Sequence, residues 1–119
     1  MKNKIRLILA AALLAAAVPS RTVFAQAAPQ RIEITAKRFA FTPDEITLKK
    51  GQPVVLVLKS MDVAHGLRIR DLGVDMKVKA GQTSEVTITP GKVGDFTGHC
   101  SVFCGSGHGS MTIKLHVVA

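Results

Sequence analysis

The chain of 119 residues contains no tryptophan and no tyrosine, and it has only two cysteines. It also lacks a basic cluster interleaved with aromatic residues, the pattern typical of nucleic-acid binding, so nucleic acid is not an expected partner. No Ser/His/Asp arrangement, phosphate-binding loop or motif of paired acids is present. These absences argue against an enzyme that acts alone on a small-molecule substrate.

The first 25 residues have the composition of a secretory signal. Residues 1–6 carry three basic side chains and no acid, residues 7–18 are an unbroken apolar run, and small residues surround Ala25. This order predicts export to the periplasm with cleavage after Ala25 or Ala27. The run is shorter than the about 20 residues that span a membrane, although an uncleaved N-terminal anchor is the competing interpretation. Residues 26–30 are then a linker, and residues 31–119 form one domain.

The formal net charge of +8 overstates the basicity of this domain. Four basic residues and no acidic ones lie in the predicted signal, which leaves +4 for residues 26–119. A charge of this size suits solubility and mild electrostatic steering of a partner. We expect the protein to be a monomer.

Polar and apolar residues alternate through the rest of the chain, with turn residues such as Pro43 and Pro90 between the alternating runs. Period-two alternation is typical of half-buried strands, and no segment after residue 25 has a sustained helical period. Seven or eight short strands at this spacing predict an all-β, antiparallel sandwich. The predicted strands are residues 31–37, 45–49, 53–59, 66–70, 75–79, 83–89, 93–97 and 112–118.

Four metal-binding side chains lie between residues 100 and 111, namely Cys100, Cys104, His108 and Met111. Thiolate and thioether ligands select soft metals such as copper, and imidazole suits copper as well as zinc. Three glycines in the same stretch let the backbone turn tightly, so these side chains can face one centre. His65, at the start of an earlier predicted strand, is the candidate for a second imidazole. Asp62 is the candidate for a group that braces this loop through hydrogen bonds.

The spacing Cys-x3-Cys-Gly-x2-His-x2-Met at positions 100–111, together with Asp-Val-Ala-His-Gly at positions 62–66, resembles a known family. It is similar to the binuclear CuA domain of haem–copper (cytochrome c) oxidase subunit II, which is also found in nitrous oxide reductase. Residues 39–46 resemble the shorter, B-type subunits. The resemblance extends over most of residues 31–119 and implies a cupredoxin-like Greek-key β-sandwich.

The resemblance implies that the two cysteines bridge two copper ions. His65 and Met111 would complete the coordination of one ion, and His108 and the backbone carbonyl of Val102 that of the other. Such a centre would shuttle single electrons, and the expected partner is a redox protein such as a cytochrome c or a membrane terminal oxidase. Val102 stands where many oxidase subunits have an acidic side chain that reaches a second metal.

Three other interpretations stay open on the sequence. The first is a mononuclear blue-copper carrier, in which Cys100 is a bystander and one ion is held by His65, Cys104, His108 and Met111. The second is a copper carrier that stores the metal or hands it to an oxidase. The third is a plain disulfide between the two cysteines, which would close a very short loop and stabilise the protein only modestly.

The remaining histidines and methionines are expected to lie outside the site. His99 points to the opposite face from Cys100 in an extended chain, so we predict that it is not a ligand. His116 alternates with apolar neighbours in the last predicted strand and is expected to face solvent. Met61 and Met76 are predicted to be packing residues.

Overall fold

The computed structural model describes residues 14–19 and 29–119. Most of the predicted signal, including its cleavage site, lies outside the described residues, and that assignment stays a prediction. Within these two ranges, no helix has the length and apolar character needed to cross a lipid bilayer. The domain predicted for residues 31–119 falls entirely within the second range.

Nine β-strands and two short 3-10 turns make up the secondary structure of the described residues. The strands are β1 (Gln30–Lys37), β2 (Ala40–Thr42), β3 (Glu45–Lys49), β4 (Val54–Ser60), β5 (His65–Ile69), β6 (Val74–Val78), β7 (Thr83–Ile88), β8 (Gly94–His99) and β9 (Thr112–Val118). The 3-10 turns are Arg70–Leu72 and His108–Ser110.

The strands form two sheets, as predicted for a sandwich. One sheet has the order β2-β1-β4-β7, and the other has the order β3-β9-β8-β5-β6. Most neighbouring strands are antiparallel, but β1 pairs with β4 and β3 pairs with β9 in parallel. The sandwich is present, but the antiparallel pairing expected from the sequence is wrong for these two pairs. The chain crosses to the other sheet between the two partners of each pair, and such a crossover is what a parallel pair requires.

Buried apolar side chains, which alternate with exposed ones along the strands, fill the space between the two sheets. In β3, Ile46 and Leu48 are buried and their neighbours are exposed, and β9 repeats the pattern with Ile113, Leu115 and Val117. Strand β4 is buried almost throughout because it lies inside its sheet. Since successive side chains of a strand point to opposite faces, each alternating strand supplies one apolar face to the core.

All eight predicted strands are present, and their ends differ from the prediction by at most two residues. The additional strand is β2, whose three residues are too few to establish a period. Met76 is buried as predicted, but Met61 is 56% exposed, so its prediction as a packing residue is wrong. Met61 lies in the loop after β4, where alternation carries no information about burial.

Candidate metal centre

The candidate ligands converge at one end of the five-stranded sheet. Strand β5 begins at His65, β8 ends one residue before Cys100, and β9 begins one residue after Met111. These three strands are neighbours in the sheet, so their ends bring the three side chains together. Two backbone hydrogen bonds join the segments, from the N–H of Cys100 to the carbonyl of Met111 at 3.1 Å and from that of Ser101 to Gly66 at 3.3 Å.

The two cysteine side chains form the middle of the centre. Cys100 and Cys104 are free thiols, each 4% exposed, and their sulfur atoms lie 3.6 Å apart. In the structure, Cys100 and Cys104 are therefore two thiols and do not form a disulfide. Since a metal–thiolate bond of the zinc type is about 2.3 Å long, one ion can contact both sulfurs at this separation.

Each sulfur has an imidazole nitrogen beside it. Nδ1 of His65 lies 3.8 Å from Sγ of Cys100. Nδ1 of His108 lies 3.7 Å from Sγ of Cys104. The two imidazoles therefore approach the pair of sulfurs separately, one for each thiol.

A thioether and a carbonyl complete the donor set. Sδ of Met111 lies 3.8 Å from Sγ of Cys104, and the thiol of Cys100 donates a hydrogen bond to the carbonyl of Val102 at 3.1 Å. The donor atoms of His65 and the two cysteines all lie within 4.8 Å of one another. The structure thus brings together, around the two sulfurs, all six residues proposed from the sequence.

Asp62 fixes the orientation of His65, as predicted for a bracing residue. Its Oδ1 lies 2.6 Å from Nε2 of His65, which leaves Nδ1 to face Cys100. The backbone N–H groups of Arg38 and Val63 donate to the same carboxylate at 2.8 and 2.7 Å. Burial is the largest single influence on the pKa of Asp62 and raises it. The hydrogen bonds from Arg38, His65 and Val63 together outweigh burial and lower the pKa to about 2.

The thiol of Cys104 keeps its proton at neutral pH in the metal-free protein. Burial, followed by the effect of the neighbouring Cys100, raises the pKa of Cys104 to about 11. A thiol must lose its proton to bind a metal, so metal uptake is coupled to proton release here. Two thiols, two imidazoles, a thioether and a carbonyl are a donor set that fits a soft metal such as copper.

Comparison with known proteins identifies the family. The model of the Cupredoxin-like domain matches residues 6–113. The chain belongs to the cupredoxin-like family. Cytochrome c oxidase subunit 2 of Thermus thermophilus is 30% identical to this cupredoxin over 80 residues, which cover 67% of this chain and 59% of the relative. Nitrous-oxide reductase of Cupriavidus necator is 33% identical over 101 residues, which cover 82% of this chain and 16% of the reductase.

Solved structures share the fold of this cupredoxin. The periplasmic domain of subunit II of cytochrome oxidase from Bradyrhizobium japonicum has a TM-score of 0.69 at 22% identity, covering 75% of this chain and 83% of that chain. A chain of a heme–copper terminal oxidase dimer has a TM-score of 0.68 at 27% identity, covering 79% and 68%. Auracyanin A, a blue copper protein of Chloroflexus aurantiacus, has a TM-score of 0.64 at 21% identity, covering 76% and 100%.

Sequence and structure together make this cupredoxin a homologue of cytochrome c oxidase subunit II. The matched segment spans little more than half of the length of the Thermus subunit. The cupredoxin fold and the buried thiol and imidazole donors support copper as the metal of this site.

Arg38 contacts the centre of the cupredoxin, although no sequence pattern indicated it. Its Nε–H donates to the carbonyl of Cys104 at 2.9 Å, a contact between residues 66 positions apart. Its backbone N–H donates to Asp62. An arginine in a surface turn has neither a period nor a motif, so a contact of this kind becomes visible only in three dimensions.

The two sides of the centre differ in exposure. His65 is fully buried, whereas His108 is half-buried. The ring of His108 contacts that of Phe103, with ring centroids 5.7 Å apart, and Phe103 is itself 77% exposed. Of the two imidazoles, that of His108 is therefore the more accessible to a partner protein.

Two histidines lie outside the centre. His99 is on the exposed face of β8, as predicted. His116 is partly exposed on β9, with Nδ1 2.5 Å from Oδ1 of Asp95 and Nε2 in contact with Oε1 of Glu45. The hydrogen bond with Asp95, and then that with Glu45, raise the pKa of His116. The sequence placed this histidine near solvent but did not reveal its two carboxylate partners.

Proposed function

We propose that this cupredoxin carries single electrons through a centre in which two copper ions are held between Cys100 and Cys104. The observation that carries the proposal is the pairing of each thiol with its own imidazole, His65 at 3.8 Å and His108 at 3.7 Å. Two ions would use both thiolates and both imidazoles. A single ion of the blue-copper type would leave one thiol without a role.

The remaining donors would divide between the two ions. We assign His65 and Met111 to one ion, and His108 with the carbonyl of Val102 to the other. In support, Met111 lies in contact with the sulfur of Cys104, and the carbonyl of Val102 accepts a hydrogen bond from the thiol of Cys100. Both donors are therefore already within reach of the sulfur pair.

Held by Cys100 and Cys104, copper would supply one-electron chemistry, and its electron would be shared over soft sulfur ligands so that each bond changes little. The protein keeps the donors in place, because Met111 and His65 are fully buried where β9 and β5 begin. A centre held by packed strands resists rearrangement. With all donors engaged there is no open position for a substrate, in contrast to catalytic metal sites.

The partners and the compartment belong to the same proposal. The relatives are subunits of oxidases, so we propose a membrane terminal oxidase and a cytochrome c as redox partners. One structural relative is a periplasmic domain, which agrees with export of this chain to the periplasm. The net charge of +4 on residues 26–119 favours a partner whose docking face is not itself strongly basic.

A mononuclear blue-copper centre is the second candidate, and one observation favours it. The sulfur of Cys104 lies within 3.8 Å of donor atoms of both His108 and Met111. These three donors could hold one ion together with His65, without Cys100.

Counting copper distinguishes the candidates. The purified protein is loaded with copper, the metal per chain is measured, and optical and electron-spin spectra are recorded together. Two ions with hyperfine splitting from two equivalent nuclei would support the proposal. One ion with an intense blue colour would establish the blue-copper centre, and weak colour with easily stripped metal would indicate a copper carrier.

The variant Cys100→Ser sharpens the decision. A binuclear centre loses its spectrum in this variant, because one of the two bridges is gone. A blue-copper centre on Cys104 keeps its spectrum almost unchanged. The matched control is His99→Gln, which alters the neighbouring residue on the exposed face of β8 and should leave the spectrum unchanged in both cases.

A further inference from the structure

The turn between β1 and β2 supports the backbone of the ligand loop. It consists of Arg38 and Phe39, which belong to neither strand. A Cβ atom added to Gly107 would lie 2.5 Å from the ring of Phe39, and one added to Gly105 would lie 2.8 Å from it. The loop backbone therefore rests closely on this ring, and a side chain at either position would require the ring of Phe39 to move.

Arg38 reaches both halves of the centre. Its backbone N–H donates to Oδ2 of Asp62 at 2.8 Å, and Oδ1 of the same carboxylate lies 2.6 Å from Nε2 of His65. Its side-chain Nε–H donates to the carbonyl of Cys104 at 2.9 Å. One residue thus connects the histidine of β5 with the loop that carries the second cysteine, two segments that are far apart in the chain.

We propose that Arg38 is a positioning residue, whose side chain holds the backbone of Cys104 in its binding arrangement before the metal arrives, with Phe39 as the platform beneath the loop. The side chain donates to the carbonyl of Cys104, so it acts through the loop backbone. Loss of a group that supports a metal ligand in this way lowers metal affinity by about 10- to 100-fold. The identity of the metal rests on the proposed function, but the preformed loop does not.

The position of the Nε–H group should matter more than the charge of the guanidinium. Arg38 is an exposed residue, and salt and solvent weaken the effect of an exposed charge. The hydrogen bond to Cys104, in contrast, fixes a direction in space. Glutamine places an amide nitrogen where Nε stands, lysine places a methylene group there and keeps the charge, and methionine supplies neither.

Three variants of the full chain separate these effects, namely Arg38→Met, Arg38→Lys and Arg38→Gln. The rate at which a Cu(I) chelator extracts the metal should rise by about tenfold in the Met and Lys variants and stay near the wild-type rate in the Gln variant. In the metal-free protein, hydrogen exchange at the amide of His108, which donates to Gly105 within the loop, should be faster in the same two variants. The matched control is Arg31→Met, which removes an exposed arginine of β1 that pairs with Glu85, away from the loop.

Wild-type behaviour of Arg38→Met in both measurements would overturn the proposal. Fast metal extraction from Arg38→Gln together with a wild-type rate in Arg38→Lys would also overturn the proposal, because the charge at position 38 would then be the cause. If Arg38→Met does not fold, the comparison of the Lys and Gln variants decides by itself. The exchange measurement contains no copper, so a wild-type protein without a binuclear spectrum would refute the proposed function and leave this test intact.

Discussion

His65 and His108 present the same atom, Nδ1, to the two cysteine sulfurs, yet their surroundings are opposite. His65 is fully buried where β5 begins, and its second nitrogen contacts the carboxylate of Asp62. His108 is half-buried at the start of a 3-10 turn, and its ring contacts the exposed ring of Phe103. One imidazole is enclosed by the sandwich, and the other lies at its surface.

In the proposed electron carrier, this difference would separate two tasks. The enclosed side must keep the donors fixed, because any shift of a ligand on oxidation or reduction slows transfer. The accessible side must let a partner come close, because an electron crosses a short gap far faster than a long one. We infer that the His65 side mainly determines how firmly copper is held and that the His108 side determines where electrons pass.

Removing each imidazole should give the largest effect. We expect His65→Gly and His108→Gly each to lower copper affinity by more than about 100-fold, the upper value for residues that only support a ligand. Added imidazole should restore binding in His108→Gly, whose position is open to solvent, but not in His65→Gly, whose position is enclosed. Titration of copper against a competing chelator, with and without imidazole, measures both expectations.

The control for this pair is His99→Gly, on the exposed face of β8, which should bind copper like the wild type. Equal rescue of the two ligand variants by imidazole would contradict the contrast between an enclosed side and an open side.

Substitutions of the residues that contact the two imidazoles should also differ in their effect on copper affinity, with the larger loss on the His65 side. Asp62→Ala removes the group that orients His65 and should weaken copper binding by about 10- to 100-fold. Phe103→Ala removes an exposed ring beside His108 and should leave affinity unchanged. The same competition titration provides the measurement, and an equal loss in both variants would show that Phe103 also supports its histidine.

The glycines that follow the two histidines test the packing of each side. A Cβ atom on Gly66 would lie 2.1 Å from Oγ of Ser101 and 3.1 Å from the carbonyl of Met76, whereas one on Gly109 would meet nothing within 4 Å. We expect Gly66→Ala to lower the free energy of unfolding by about 1–3 kcal/mol, as overpacking does. Gly109→Ala should change it by less than about 0.5 kcal/mol.

Urea unfolding of the metal-free protein checks this pair of glycines. The hydroxyl of Ser101 can rotate away, but the carbonyl of Met76 belongs to a neighbouring strand and cannot. A neutral Gly66→Ala variant would show that the enclosed side adapts more easily than its packing indicates.

Much of the fold and most of the candidate site could be predicted because their signals are local. Alternation around Ile46 and Leu48 is visible within five residues of β3, and the loop ligands fall within one short stretch of sequence. His65 lies outside that stretch, and the resemblance to a known family connected it with the loop. The same resemblance singled out the carbonyl of Val102, a main-chain donor that no side-chain pattern reveals.

The rest depends on how distant segments meet, which no local pattern encodes. Arg38 reaches Cys104 across 66 positions, and His116 reaches Glu45 across 71. The parallel pairing of β3 with β9 brings Glu45 near His116, and the prediction of an antiparallel sandwich did not include that pairing. The difference in exposure between His65 and His108 is likewise a property of the assembled sandwich.

His116 is a third histidine in a different environment. Two carboxylates at the surface, and not burial, hold its ring. The hydrogen bonds with Asp95 and then Glu45 raise the pKa of His116 above its ordinary value of about 6.5. Lys114 lies two residues earlier on the same face of β9. Because a raised pKa means that folding favours the protonated form, this contribution to stability is complete below the unfolded pKa and disappears as the pH rises through the folded pKa.

We therefore expect the urea midpoint of the metal-free protein to fall as the pH rises through the pKa of His116, and His116→Gln to remove that part of the pH dependence. This effect should be the smallest of the four predicted in turn for the imidazoles, their neighbours, the glycines and His116, because solvent and salt screen ion pairs at an exposed site. The difference between the wild-type and His116→Gln midpoints across the pH series isolates it from other titrating groups. Parallel curves for the two proteins would show that the two carboxylates do not stabilise the protonated ring. A midpoint difference that disappears at high salt would show that charge, and not packing, holds this histidine.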